Sequence, residues 1–217
     1  MVMLDKIAND PYVISLLKES DKTTEAIGYT EHGLVHAKAT SNTAVVICNG
    51  LGLSEWESNV AEVASYLHDI GNLSGRENHG QIGAALAAPI LLHHDAEPDE
   101  LARIVAAIAN HDDDNPVISS VTTAVVILAD KSDVRRSRVR DQTSTTMDIH
   151  DRVNYAVPEG GLTVEAGVIT LSLKLDTDFA CSADYMDIFA LRMKAMRAAS
   201  KYLGAEFQLL INDVKIY

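Results

Sequence analysis

The sequence predicts a mainly α-helical protein that ends in a small α+β unit. Three observations predict it. Apolar residues recur at helical spacing through residues 1–141. Cap signals punctuate those runs, with Asp, Ser or Asn ahead of them and Gly behind. Beyond residue 142 the period changes. "VITLSLKL" alternates Ile169, Leu171, Leu173 and Leu175 with Thr170, Ser172 and Lys174, as a half-buried strand does. The chain therefore divides into a helical domain, 1–141, and an α+β tail, 142–217, expected to pack on it rather than stand alone.

The elements follow in order. "DPYVISLLKESDKTTEAIG" opens with Asp10 as N-cap and Pro11 at the first helical position. "GLVHAKATSNTAVVICNGLGL" is a second helix, closed by Gly50 or Gly52. "SEWESNVAEVASYLHDIGN" starts at Ser54 with Glu57 three residues on, a capping box, and ends at Gly71. "ENHGQIGAALAAPILLHH" and "EPDELARIVAAIANHD" are two more, and "NPVISSVTTAVVILADKSDVRRSRV" is a long one starting at Asn115 and Pro116. In the tail, "LTVEAG" pairs with the strand through a turn at Gly167. "ADYMDIFALRMKAMRAASKYLGA" is a helix ending at Gly204, and "EFQLLINDVKIY" is a last strand, giving ββαβ. The core should include Ile47, Val63, Leu67, Leu86, Ile104, Ile108, Val125 and Leu128.

The 217 residues carry 18 Lys+Arg against 31 Asp+Glu, a formal charge of −13. A broad nucleic-acid surface is excluded, because phosphate contacts need a basic face, and an anionic membrane is disfavoured for the same reason. The two cysteines, Cys48 and Cys181, form no CxxC pair, so a thiolate zinc site is not expected. No apolar run reaches the roughly 18 residues of a spanning helix, and the start lacks a signal-peptide layout, so a cytoplasmic location is expected.

The histidines carry the functional signal. His36 shares a helical stripe with Ala39, Thr43 and Val46; His68 and Asp69 close an apolar run. His79 shares its face with Ile82, Gly83, Leu86 and Ile90, and His111 ends the stripe of Leu101, Ile104 and Ile108. Asp130 ends "TAVVILAD", which is apolar all round. Imidazoles and carboxylates are costly to bury without a partner, and five such convergences point to metal. His32, His93, His94 and His150 are read as surface residues. His93 stands roughly 21 Å from His79 along a continuous helix at about 1.5 Å per residue, too far to share its ion.

The order His36, His68–Asp69, Asp130 resembles the H…HD…D signature of HD-domain metal-dependent phosphohydrolases. "LGLSEWESNVAEVASYLHDIGN", "NHGQIGAALAAPIL", "IANHDDDNP" and "VVILADKSD" are similar to that family's segments over about residues 30–140. The GYP triplet of one subfamily is absent, which argues against cyclic-dinucleotide hydrolysis. The resemblance implies an HD-like helical bundle. It implies one ion on His36, His68, Asp69 and Asp130, and a second on His79 and His111 with Asp69 bridging. Such ligands suit Fe, Mn, Ni, Co or Zn.

The implied activity is hydrolysis of a phosphate ester or anhydride, with a nucleotide as the expected substrate and His68, Asp69 and Lys131 as the catalytic set. "DKSDVRRSRVR" places Lys131, Arg135, Arg136, Arg138 and Arg140 within ten positions. Lys131 and Arg135 are the candidate phosphate contacts. Asp112 and Asp113 are candidates for proton transfer or ligand support. Two other readings share the ligand set: a di-iron oxygenase of the same superfamily and a non-catalytic ligand-binding module. The tail is read as structural, either in a homodimer contact or in closing over the site.

Overall fold

The computed structural model describes residues 1–112, 116–140 and 148–217. Among the described residues seven α-helices precede residue 133: α1 (Leu4–Ala8), α2 (Pro11–Ala26), α3 (Leu34–Gly50), α4 (Glu55–Leu67), α5 (His79–His93), α6 (Pro98–Ala109) and α7 (Val121–Ser132). A 3-10 segment, Ile70–Ser74, joins α4 to α5. The two clearest expected N-caps are present. Asp10 accepts from the Tyr12 amide, and Ser54 and Glu57 close a full capping box. None of the described helices is long and apolar enough to cross a membrane.

Several boundaries differ from the sequence expectation. The last long helix begins at Val121, where the Ser120 hydroxyl accepts from the Thr123 amide, and ends at Ser132. Pro116 lies in the extended segment before it, and Asn115 lies outside the described residues. Pro89 sits inside α5 without ending it, so α5 runs on to His93. Pro forfeits one ladder bond there, and burial of Ala87, Ile90 and Leu91 holds the helix. The buried stripe of α3 is His36, Thr40, Ala44 and Ile47, while Val46 is exposed. Ala37, Ser41 and Cys48 flank it, so the inward arc turns towards their side rather than towards Ala39 and Thr43.

In the tail, α8 (Ile149–Tyr155), unforeseen in the polar linker, precedes β1 (Glu159–Glu165) and β2 (Val168–Lys174). These two pair antiparallel around Ala166 and Gly167, both at positive φ, the two-residue turn that matches strand twist. Helix α9 (Ser182–Tyr202) then crosses to β3 (Glu206–Ile211), which lies parallel to β2, and β4 (Val214–Lys215) adds a short antiparallel edge. The boundary expected at 141/142 lies outside the described residues.

Two apolar clusters meet on α7. One joins α1, α2, α4, α5 and α6; the other joins α3 to β1, β2, β3 and α9. Val126 belongs to the first, Val125 and Leu128 to the second, so α7 is buried from Thr122 to Ala129. Each fully buried Val, Ile or Leu contributes roughly 1.5–3 kcal/mol, and α7 is therefore anchored on all sides. Of the expected core residues only Leu86 is half-buried.

Gly71 does not close α4, which ends at Leu67. It lets the 3-10 segment lie against α5, since a Cβ there would fall 2.0 Å from the His79 carbonyl oxygen and 2.5 Å from the Gly83 amide. Backbone cannot yield as a side-chain tip can. Gly71→Ala should lower unfolding free energy by at least about 1–3 kcal/mol. Gly161→Ala, where a Cβ meets nothing within 4 Å, should change it by less than about 0.5 kcal/mol. Urea denaturation of both variants checks this.

Candidate metal centre

Five helices bring the candidate residues together. His36 is in the first turn of α3, and Asp130 is in the last turn of α7. His68 and Asp69 follow α4, His79 opens α5, and His111 follows α6. The Nδ1 of His68 donates to the Ser65 carbonyl at 2.7 Å, that of His111 to Ile108 at 2.7 Å, and that of His79 to Arg76 at 2.8 Å. All three acceptors lie three residues back. Those of His68 and His111 belong to helix ends, where carbonyls lack a helical partner. His36 Nδ1 donates instead to Asp133 Oδ2 at 2.7 Å. A carbonyl or carboxylate only accepts, so each Nδ1 carries a proton and each Nε2 is turned to the shared centre.

The four Nε2 atoms form two pairs, His36 with His68 and His79 with His111, each 3.2 Å apart. Asp69 lies between the pairs. Its Oδ2 is 3.5 Å from His36 and 3.3 Å from His68; its Oδ1 is 3.5 Å from His79 and 3.8 Å from His111. Asp130 Oδ1 approaches His36 Nε2 at 3.4 Å and His68 Nε2 at 3.7 Å, and Asp112 Oδ2 is 3.5 Å from His79 Nε2.

Three overlapping groups could each hold an ion, their ligand atoms within 4.8 Å: His36, His68, Asp130; His68, Asp69, His111; and His79, His111, Asp112. Asp69 Oδ2 is buried with no hydrogen-bond partner. A buried acceptor left unsatisfied is costly, and a cation among these nitrogens would satisfy it. The donor set fits a divalent metal.

The charges are sharply divided. Burial disfavours a charged His68 ring, but Asp69 and Asp130 outweigh burial and push its pKa up to about 10. His111 is pushed down to about 4 by burial and by His68. Burial would raise both carboxyls, yet His68 beside Asp69 and Lys131 beside Asp130 hold them well below the usual range.

Cations surround this centre. Lys131, buried, reaches Asp112 Oδ1 at 3.0 Å and Asp130 Oδ2 at 3.5 Å. Arg76 binds Asp112 at 2.6 Å and Asn72 at 2.9 Å. Arg135 is turned elsewhere: its guanidinium engages Asp133 at 2.6 Å and Ser137 at 2.7 Å, so it sits behind His36 rather than in the site. The rest of the basic run ties the chain to itself. Arg138 holds the Glu31 carbonyl at 2.7 and 3.0 Å, Arg136 the Tyr155 carbonyl, and Arg140 the Asp21 carboxylate. Asp113 lies outside the described residues.

The other histidines divide. His32, expected at the surface, is buried, because Arg138 draws the loop before α3 over the centre; its Nδ1 donates to the Thr30 carbonyl at 2.6 Å. His94 is partly buried and bonds Asp10 at 2.9 Å. His93 and His150 are exposed, but on α5 and α8 rather than in loops. A fourth potential metal group, Asp10, His93 and His94, lies at the far end of α5.

A model of the HD domain matches residues 33–152, more than half of the chain. The chain belongs to the HD-domain family. HD domains bind divalent metals, and the His/Asp groups here are of that kind. Solved structures are also similar, among them a predicted HD superfamily hydrolase from an uncultured Thermotogales bacterium. That match is 20% identical, covers 62% of this chain and 75% of the other, and has a TM-score of 0.45. No curated protein matches the sequence.

Sequence reasoning missed Arg76, His32 and Arg192 of this HD domain's cavity. Arg76 had a signal, three residues before His79 in "GRENHG". His32 had a weaker one, four residues before His36. Arg192, on α9, had none.

Arg138 is buried and leaves carbonyls without donors when removed. Arg138→Ala should cost about 3–5 kcal/mol of stability, and Arg138→Lys should recover only part, since one ammonium cannot reproduce the fork. Arg135→Ala, at a more exposed group, should cost less. Denaturant unfolding of the three variants reads the order.

Proposed function

We propose that this HD domain is a metal-dependent phosphohydrolase acting on a phosphate ester or anhydride, with a nucleotide as the substrate. One observation carries the reading: a single buried carboxylate, Asp69, faces two pairs of imidazole nitrogens, with its inner oxygen lacking any hydrogen-bond donor. His36, His68, Asp69 and Asp130 would hold one divalent ion. His79 and His111, with Asp69 between, would hold the second, and Asp112 is within reach of it. Bound at such a centre, a divalent metal brings the pKa of water towards neutrality and neutralises charge on a phosphoryl oxygen.

The chain's own groups supply the rest. Asp133 fixes the His36 tautomer, and the Ser65, Arg76 and Ile108 carbonyls fix the other three rings. Lys131 bridges Asp112 and Asp130 and offers an ammonium to a phosphate. Arg76, against Asp112 and Asp69, offers a second cation. Cations gathered at one cavity of a −13 chain favour an anionic substrate. Lys131 and Arg76 hold Asp112 as a carboxylate beside His79.

The test begins with elemental analysis. Asp69→Ala should lose all bound metal or keep a weakly held ion; wild-type content in that variant refutes the ligand assignment. Asp133→Ala should weaken metal binding about 10–100-fold, and Asp133→Asn, which keeps an acceptor, should weaken it less.

Activity is assayed with Mn, Fe, Co, Ni and Zn against nucleoside mono-, di- and triphosphates, cyclic nucleotides and p-nitrophenyl phosphate. His68→Ala should collapse kcat, while Lys131→Ala should chiefly raise KM. Imidazoles must shed their second proton to bind metal, so metal content and rate should both fall as pH falls. Metal-replete protein that hydrolyses none of these, or turnover that survives chelation, ends the proposal. Oxygen consumption by the iron form would favour the oxygenase reading.

A further inference from the structure

The appended helix α9 reaches the metal centre. A cavity of about 20 Å³ is lined by three carboxylates, Asp69, Asp112 and Asp130, by four cations, Arg76, Lys131, Arg138 and Arg192, and by His32 and His111. Three of the four have carboxylate partners: Arg76 and Lys131 share Asp112, and Arg138 faces Asp133. Arg192 has none among the described residues; its guanidinium lies over the Phe189 ring, 4.5 Å from the centroid. The carboxylates at the cavity are engaged by Arg76 and Lys131, so Arg192 brings to it a charge with no direct carboxylate partner among the described residues, one that would attract an anion.

A second cavity, of about 280 Å³, adjoins the first and shares His32, Arg76 and Arg192 with it. Its walls mix two chemistries. Tyr29 and Phe189 give apolar ring surface, and Asn154, Asp148, Asp151 and His150 of the α8 region give polar groups. The size is near the lower limit of about 300 Å³ for small-molecule pockets, enough for one ring system with its substituents. Carboxylates accept hydrogen bonds and do not donate them. They suit hydroxyl or amino groups and repel further phosphates. A recess that shares Arg76, among Asn78, His79, Gln81, Asn110 and Asp112, has no Tyr, Phe or Trp ring and no cation besides Arg76 among the described residues.

Building on the phosphohydrolase reading, we propose that Arg192 is a substrate-binding residue. It grips the phosphate of a monophosphate ester whose hydroxyl- or amino-bearing group, no larger than a nucleoside, occupies the adjoining cavity over Tyr29 and Phe189. The α+β tail thereby supplies one wall of the substrate site, and the Asp148–Asp151 end selects a single phosphate over a chain of them.

The experiment uses the full-length, metal-loaded protein as wild type, Arg192→Ala and Arg192→Lys. Substrates are nucleoside 5′-monophosphates, the matching triphosphates and p-nitrophenyl phosphate; inorganic phosphate binding is measured by calorimetry. Arg192→Ala should raise KM for the monophosphate about tenfold or more, with kcat within about threefold, consistent with losing one charge-assisted hydrogen bond. Phosphate affinity should drop in parallel while metal content stays at the wild-type level, and Arg192→Lys should restore part of both. KM and phosphate affinity within twofold of wild type overturn the assignment of Arg192.

The monophosphate should exceed the triphosphate at least tenfold in kcat/KM, and the double variant Asp148→Asn, Asp151→Asn should narrow that ratio. A preference for the triphosphate overturns the substrate class. Wild-type turnover that ignores Arg192 fells this inference alone, whereas absence of turnover on every ester fells it together with the phosphohydrolase reading.

Discussion

The structure depends on the burial of one carboxylate, Asp69, among four imidazoles. His36, His68, Asp69, His79 and His111 are all buried there, and a site of this kind tolerates little displacement. The backbone answers by turning helix ends inward. His68 and His111 use a carbonyl of the helix just completed, and His79 uses one from the preceding turn, so groups that would need water or a cap instead orient three imidazoles. The close approach at Gly71 follows from the same demand. The 3-10 segment must lie directly on α5 if Asp69 is to reach the His79 pair.

Around this anionic centre the protein arranges positive charge in two ways. Lys131 and Arg76 enter the centre and neutralise Asp112, Asp130 and Asp69. Arg136, Arg138 and Arg140 act mostly on backbone, Arg138 from the cavity wall and the other two further out. They clip the loop before α3, the Asp21 region and the start of the tail onto the segment that follows α7. A cluster that reads in sequence as one basic surface thus becomes an internal fastening, and the loop it fastens carries His32 to the cavity.

Helix α7 is where these demands meet. Both apolar clusters pack on it, which holds Asp130 and Lys131 at a fixed depth between the helical region and the tail. The tail is then positioned through α7 and α3, and α9 is brought near enough for Arg192 to line the same cavity. Binding at a junction of this sort couples the integrity of the site to the packing of the appendage.

The sequence by itself determined the longer helices, their clearest caps, the alternation of the tail strands and the candidate His and Asp residues, because those features are written within a few residues. A capping box needs three residues, a buried stripe needs two turns, and His68–Asp69 at the end of an apolar run is visible on inspection. Only the tertiary structure decided what stands opposite each buried face. His36 meets Asp133 across 97 residues and Arg138 meets Glu31 across 107. The inward arc of α3, the burial of His32, the diversion of Arg135 and the arrival of Arg192 all turn on such pairings. Local periodicity states which side of a helix is hidden from water; the partner that hides it comes from packing between distant segments, and no spacing within either segment encodes it.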